Sequence, residues 1–167
     1  MAKHQQLEHV FGPFIPPKPK LLVLGTFPSV KSRQQQFYYG HPQNQFWRLL
    51  ADVFLDQVPE SLEQKKDFLS RHGVALYDVI ESCEIMGSSD SSIRNIVPTD
   101  IRKIVAEHGI EQIFVNGRKA EQVFYQYQPD LEAIYLPSSS PANAAISYDQ
   151  KLADWQKKIT GQTRFAE

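Results

Sequence analysis

The sequence is poor in cysteine, in net charge and in long apolar runs, and each shortage removes a class of protein. A single cysteine, Cys83, in 167 residues leaves no internal disulfide framework and no all-cysteine cluster. A reducing, cytoplasmic setting is therefore the expectation. No apolar run approaches the roughly 18–20 residues that span a bilayer, so no membrane partner is expected. The opening "MAKHQQLEHVFGPFIPPKPK" lacks an apolar h-region, and no secretory signal is expected there. The five histidines, His4, His9, His41, His72 and His108, show no ligand spacing with cysteine or acids. Neither a metal nor another cofactor is expected. The G-x-G-x-x-G fingerprint, the G-x-x-x-x-G-K-[ST] phosphate loop and the G-x-S-x-G elbow are also missing, as are internal repeats.

Net charge is −1, which by itself argues against a strong nucleic-acid binder. The distribution is less even. Residues 1–50 hold six Lys/Arg against the single acid Glu8, and the remainder holds twelve against eighteen. A basic face on a near-neutral protein suits a phosphate-bearing partner, although ordinary solvated charges give the same count.

What remains is an ordinary globular composition, 41% apolar and 22% charged, in a length that suits one domain with a sizeable core. We expect a single domain over 1–167, acting as a monomer, with 1–19 as an extended proline-rich lead-in. Four apolar runs read as buried strands: "KLLVLG" (20–25), "VALYDVI" (74–80), "QIFVNG" (112–117) and "EAIYLP" (132–137). Helical patterns lie between them. "QNQFWRLLADVFLD" lines up Phe46, Leu49, Leu50, Val53 and Phe54. Ser61 with Gln64, and Ser147 with Gln150, form capping boxes; Thr99 reads as an N-cap, and Gly73 and Gly109 as helix stops. Trp47 and Trp155 fall at core positions, and Cys83 reads as a small buried hydrophobe. Alternating strands and helices imply an α/β fold: three layers, α/β/α, around a mostly parallel four-stranded sheet.

Ligands of such sheets bind beyond the carboxyl ends of the strands. That rule selects Gly25, Thr26, Phe27, Pro28 and Ser29 after the first strand and Asn116 to Arg118 after the third. After the fourth it selects the loop from Pro137 through Ser138, Ser139, Ser140 and Pro141 to Asn143. "FYYGHPQN" adds Phe37, Tyr38 and Tyr39 where a loop is normally polar. Rings beside cations suit stacking on a base, at roughly 1–3 kcal/mol each, but some of them belong in the core. Asn44 stands at a helix start, where it either caps or offers an uncharged amide that both donates and accepts. Asp78 and Asp90 either cap turns or organise a pocket rim; their separation in sequence does not establish that they meet.

"GTFPSVKSRQQQFYYGHPQNQFW", "ALYDVIESCEIMGSSDSSIRN" and "LPSSSPANA" together resemble the hypoxanthine-DNA glycosylase (DNA-deoxyinosine glycosylase) family of the uracil-DNA glycosylase superfamily. The similarity runs over most of 20–155. It implies a DNA partner carrying a deaminated base and hydrolysis of the N-glycosidic bond, most of all that of deoxyinosine, in base excision repair. It implies a catalytic Asn44. It also implies a base pocket from Gly25, Thr26, Phe27, Pro28, Ser29, Phe37, Tyr39 and Asn116, with Tyr39, Phe27 or Phe37 stacking. The serine loop would face DNA, with Ser138 and Ser140 on phosphates and Ser139, Pro141 and Asn143 near the gap; Lys31 and Arg33 are further phosphate candidates. In the mismatch-specific uracil-DNA glycosylases, which this stretch also resembles, the catalytic asparagine falls on Phe27, so the usual water-positioning group is absent. The implied cleft is neutral and works without carboxylates. Removal of uracil or xanthine, or DNA binding without catalysis, are the alternatives.

Overall fold

The computed structural model describes residues 3–161; the ends of the expected 1–167 domain lie outside them. In chain order the elements are strands β1 (Gln5–Glu8) and β2 (Leu21–Gly25), helices α1 (Val30–Gln35), α2 (Phe46–Phe54) and α3 (Leu62–His72), and strands β3 (Val74–Asp78), β4 (Ile80–Ile85) and β5 (Arg94–Pro98). Helix α4 (Ile101–His108), strand β6 (Gln112–Asn116), α5 (Arg118–Tyr127), β7 (Ile134–Leu136) and α6 (Tyr148–Gln156) follow, and a π-helical turn over Lys157–Gly161 ends the described chain.

The four expected strands form one parallel sheet in the order β3-β2-β6-β7. All five positions of β3 are buried, as are the last four of β2. Both sheet faces must therefore be covered, which is the helix-flanked arrangement expected of continuous apolar strands. From β2 the chain steps first to one side, to β3, and later to the other, to β6. This reversal is a topological switch point, where a crevice opens beyond the strand ends. Gly25 pairs with Asp78, and Asn116 with Leu136, at that edge.

Local signals mostly hold. Ser61 and Gln64 form a full capping box, as do Ser147 and Gln150. Gly73 takes the left-handed conformation, φ +67, that ends α3, a geometry glycine adopts without steric cost. The α2 face of Phe46, Leu49, Leu50 and Val53 is buried, with Phe54 half-buried. Trp155 is buried and its Nε1 donates to Pro137 O at 2.8 Å, anchoring α6 beneath the serine loop.

Three expectations are corrected. Asp100, not Thr99, caps α4, accepting from Lys103 N; the buried Thr99 hydroxyl instead donates to Asp78 O at 2.7 Å. The run 74–80 is not one strand, because the chain leaves the parallel sheet at Val79 and continues as β4. Finally, 1–19 is more than a lead-in. β1 joins β4 and β5 in a second, antiparallel sheet of order β1-β4-β5. Phe14 then exchanges two backbone hydrogen bonds with Leu76, covering the outer edge of β3, a site that would otherwise template pairing with another chain.

Candidate active site

A cleft of about 320 Å³ opens at the switch point, within the usual range of about 300–1,000 Å³ for small-molecule sites. Its walls come from loops far apart in sequence. The β2 loop supplies Gly25, Thr26, Phe27, Pro28 and Ser29; the segment before α2 supplies Tyr38, Tyr39, His41 and Asn44; and the strand ends supply Asp78 and Asn116. Ser138, Ser139, Ser140, Pro141 and Ala142 close one side, and Ser88 and Asp90 another.

Asn44 lies on the cleft wall with its two ends in different employment. Oδ1 accepts from Phe46 N, the first N–H of α2, at 3.0 Å, in an Asx turn one residue before the Gln45 N-cap, while no hydrogen bond from a described residue occupies Nδ2. This bond fixes the side chain and leaves a donor. Next to it, Gln45 N donates to Ser139 O at 2.9 Å, and Gln45 Oε1 accepts from Lys151 Nζ at 2.9 Å. Lys151 is 2% exposed; burial lowers its pKa, and its amine points at Gln45, outside the cleft lining.

Tyr39 stacks on Phe46, with centroids 3.8 Å apart and planes at 15°. It sits at φ +53, a left-handed conformation that costs a non-glycine residue roughly 1–2 kcal/mol and that tends to persist at functional positions. Its hydroxyl is buried with no partner at full hydrogen-bonding geometry, although the Asn116 amide lies close enough to oppose the rise of its pKa. Burial, then the nearby Asp78 charge, pushes its pKa above the ordinary tyrosine value. Phe27 is 9% exposed and also lines the cleft. Phe37 does not line it: the ring is buried in parallel with Trp47, 6.2 Å away. Phe37 is thus core, and a stacking role for it is withdrawn.

Other candidates also turn out to hold the site. Asn116 Nδ2 donates to Ser139 Oγ at 2.9 Å, and Asn116 Oδ1 accepts from Ser139 N at 3.0 Å. With Ser139 at 1% exposure, the pair locks the serine loop onto β6 and leaves Ser139 out of reach of DNA, while the Asn116 amide, which lines the cleft, keeps a second N–H and a second lone pair. Arg33 donates to Pro28 O at 2.8 Å and to Gly87 O at 3.1 Å, clamping the β2 loop instead of waiting for phosphate. Asn143 Nδ2 donates to Ser138 O at 3.2 Å. Lys31 is exposed and outside the cleft, whereas Ser138, Ser140 and Pro141 stand on the rim.

The cleft is not neutral. Asp78 and Asp90 both reach it. Desolvation raises the Asp90 pKa, Lys119 opposes the rise, and the Asp78 charge adds to it. Asp78 accepts from His9 Nε2 at 2.7 Å, in a pair whose side chains are 5% and 0% exposed. Among the described residues no group of three or more His, Cys, Asp or Glu gathers as a metal site. His9 carried no local signal, because its partner is 69 positions away. His41, Ser88 and Asp90 stood inside quoted motifs but only the fold shows them lining one cleft.

Comparison with known proteins agrees with this layout. Residues 13–162 match the family model described as the uracil DNA glycosylase superfamily. A hypoxanthine DNA glycosylase of Methanosarcina acetivorans is 33% identical over 146 residues, covering 82% of this chain and 88% of the relative. Its counterpart in Methanosarcina barkeri is 31% identical over 141 residues, covering 80% and 86%. A solution NMR structure from Methanosarcina acetivorans, provisionally named a uracil DNA glycosylase, superposes with a TM-score of 0.77 at 28% identity, over 92% of this chain and 96% of that one. A crevice placed by strand order and a sequence match spanning nearly the whole chain lead to one assignment: the chain belongs to the uracil DNA glycosylase superfamily.

Proposed function

We propose that the protein is a monofunctional DNA glycosylase that hydrolyses the N-glycosidic bond of a deaminated base, hypoxanthine in deoxyinosine before others. The observation that carries this reading is Asn44: an oriented, uncharged donor on the wall of a base-sized cleft, in a chain whose first motif has Phe27 where the mismatch-specific uracil-DNA glycosylases it resembles have an asparagine. The names of the Methanosarcina relatives support hypoxanthine as the base.

Excision first requires the nucleotide to leave the stack, at a few kcal/mol, less for a wobble-paired deoxyinosine. The Tyr39 ring, backed by Phe46, offers a flat surface for the extruded purine, with Phe27 the other candidate ring in the cleft. Bond cleavage builds positive charge on the sugar, as in other glycoside cleavages, and negative charge on the leaving base. Nδ2–H of Asn44 donates to that developing negative charge or to the attacking water, an interaction worth most when the donor is held in place beforehand. The bond from Phe46 N does the holding. The carboxylates of Asp78 and Asp90 make the cleft a favourable place for a sugar cation. Lys151, the buried lysine, is turned away, so water attack without strand cleavage is expected. In this reading Ser138 and Ser140 on the rim and Lys31 outside it meet DNA phosphates, and Pro141 approaches the gap left by the flipped base. The protein is taken to act as a cytoplasmic monomer.

Metal-free protein is incubated with duplexes carrying deoxyinosine, deoxyuridine, deoxyxanthosine or normal bases, then treated with hot alkali. Breaks at deoxyinosine that need the alkali step are the expected result. Breaks at deoxyuridine alone would favour uracil, the base in the name of the NMR relative. Tight binding without abasic product in any duplex would replace the enzyme with a DNA-binding module.

A further inference from the structure

Lys151 is a buried cation that the chemistry above does not use. It is 2% exposed. Its Nζ donates to Gln45 Oε1 at 2.9 Å, with no carboxylate of a described residue paired to it. An ammonium held out of water without a counter-ion is strongly penalised, and a leucine or methionine would fill the same space without that penalty. Docking of α6 has other fastenings. The Tyr148 hydroxyl donates to Asp52 of α2, Arg48 of α2 lies over the Tyr148 ring, and Trp155 Nε1 donates to Pro137 O. What the lysine adds is its hold on Gln45.

Gln45 occupies the seam between two walls of the cleft. It is the N-cap of α2, yet its side chain makes no capping hydrogen bond; it is turned to Lys151 instead. Its N–H donates to Ser139 O at 2.9 Å, and its carbonyl accepts from Leu49 N at 2.8 Å. Ser139 is in turn tied to Asn116 by two hydrogen bonds. The Gln45 N–H and the Asn44 carbonyl belong to one planar peptide, so the hold on Gln45 is also a hold on Asn44. The bonds run from α6 through the start of α2 and the serine loop to the end of β6, and Asn44, Ser139 and Asn116 all line the cleft. We infer that Lys151 is a positioning residue for base excision: acting through Gln45, it sets the spacing between the Asn44 amide and the serine loop across the cleft. It touches no substrate atom. With the lysine gone, Gln45 Oε1 loses its donor and the start of α2 loses its brace. Asn44 Nδ2 then no longer meets the leaving base at a fixed distance, and rate depends steeply on that distance. The DNA contacts on the rim stay, so the effect falls on rate and not on affinity.

This inference rests on the glycosylase reading, and the test separates the two. Single-turnover excision of deoxyinosine is measured beside affinity for the same duplex carrying 2′-fluoro-2′-deoxyinosine, which resists cleavage because fluorine destabilises the sugar cation. Lys151→Met should slow excision by roughly tenfold to a hundredfold, the scale of a small misplacement of a catalytic group, with affinity close to wild type. Gln45→Leu should do the same. In the double variant Lys151→Met/Gln45→Leu the buried polar pair becomes an apolar one, a replacement that proteins tolerate well. Its melting temperature should return toward wild type, while excision stays as slow as in either single variant. A double variant that regains excision along with its stability overturns the inference. So does a folded Lys151→Met that excises at the wild-type rate, or a loss confined to affinity. The double variant decides the question even if the single variants do not fold. Wild-type breaks at deoxyinosine, or at deoxyuridine used in its place, uphold the glycosylase reading in all these cases; with neither cut, both readings fall.

Discussion

Asn44 meets two demands with one amide, and the two can be separated. Its oxygen accepts from the first N–H of α2 and its nitrogen is free for the cleft. Asn44→Asp keeps an oxygen for Phe46 N, and a carboxylate at a helix start is favourable. We expect this variant to melt close to wild type while single-turnover excision falls by roughly a hundredfold to a thousandfold, as for loss of one oriented donor. Asn44→Ala should lose the same activity and also about 1 kcal/mol of stability with the hydrogen bond to Phe46 N. An Asp variant that retains wild-type excision would show that Asn44 serves only the start of α2. The sequence displayed the position and both possible employments of this residue, but not their coexistence. For Phe37, Tyr38 and Tyr39 it displayed three adjacent rings without assigning them. Tyr38 is buried, its hydroxyl donating to Gly12 O, and Phe37 goes to Trp47; only the left-handed turn at Tyr39 settles which ring stacks on Phe46 beside the cleft.

Among the elements, the junction of α2 and α3 depends on Asp56. Its carboxylate accepts from His72 Nε2 at 2.8 Å, from Arg71 Nη1, and from Gln57 N at 2.7 Å. His72 in turn lies flat on Phe54, centroids 4.3 Å apart. These donors, His72 first and Arg71 next, hold the Asp56 pKa well below the usual carboxylate range. Because the folded-state value is depressed, the stabilisation is complete above the unfolded value of about 3.9 and is lost as pH falls from there toward the folded value. Wild type should therefore melt above Asp56→Asn at neutral pH, with the gap closing below about pH 3.9. A gap that stays constant down to acid pH would mean the carboxylate charge contributes nothing, which screening of the half-exposed Arg71 makes the natural alternative. The capping boxes of α3 and α6 were legible because a helix start is written in four consecutive residues. Helix α1, six residues long with only Ser32 buried, and the strand β5, with no fully buried position, lack the apolar period that would announce them.

For the molecule as a whole, the excess of basic residues before position 50 does not translate into a row of free phosphate contacts. Arg33 is spent on the Pro28 and Gly87 carbonyls, and Arg48 lies over the Tyr148 ring at 3.7 Å. Lys3, Lys18, Lys20 and Lys31 are exposed; Lys20 precedes the start of β2, at the end of the sheet away from the cleft, and Lys31 follows the cleft-lining β2 loop. Lys31→Ala should weaken DNA binding and lower the salt slope by about one unit or less. Arg33→Ala should instead slow excision at every salt concentration, since it releases the β2 loop without removing a phosphate contact. Equal salt slopes for wild type and Lys31→Ala would remove Lys31 from the interface.

Continuous apolar strands separated by amphipathic helices have few ways to pack. The parallel sheet, its covered faces and the edge at which the loops gather therefore follow from the order of residues alone. The chemistry inside that edge does not. His9 meets Asp78 across 69 positions, and Asn116 meets Ser139 across 23. Such polar pairs leave no periodic trace, because one hydrogen bond needs one residue at each end and any intervening length of chain. Burial excluded competing partners and water, and only the folded chain could decide which amide stays free and which carboxylates reach the cleft.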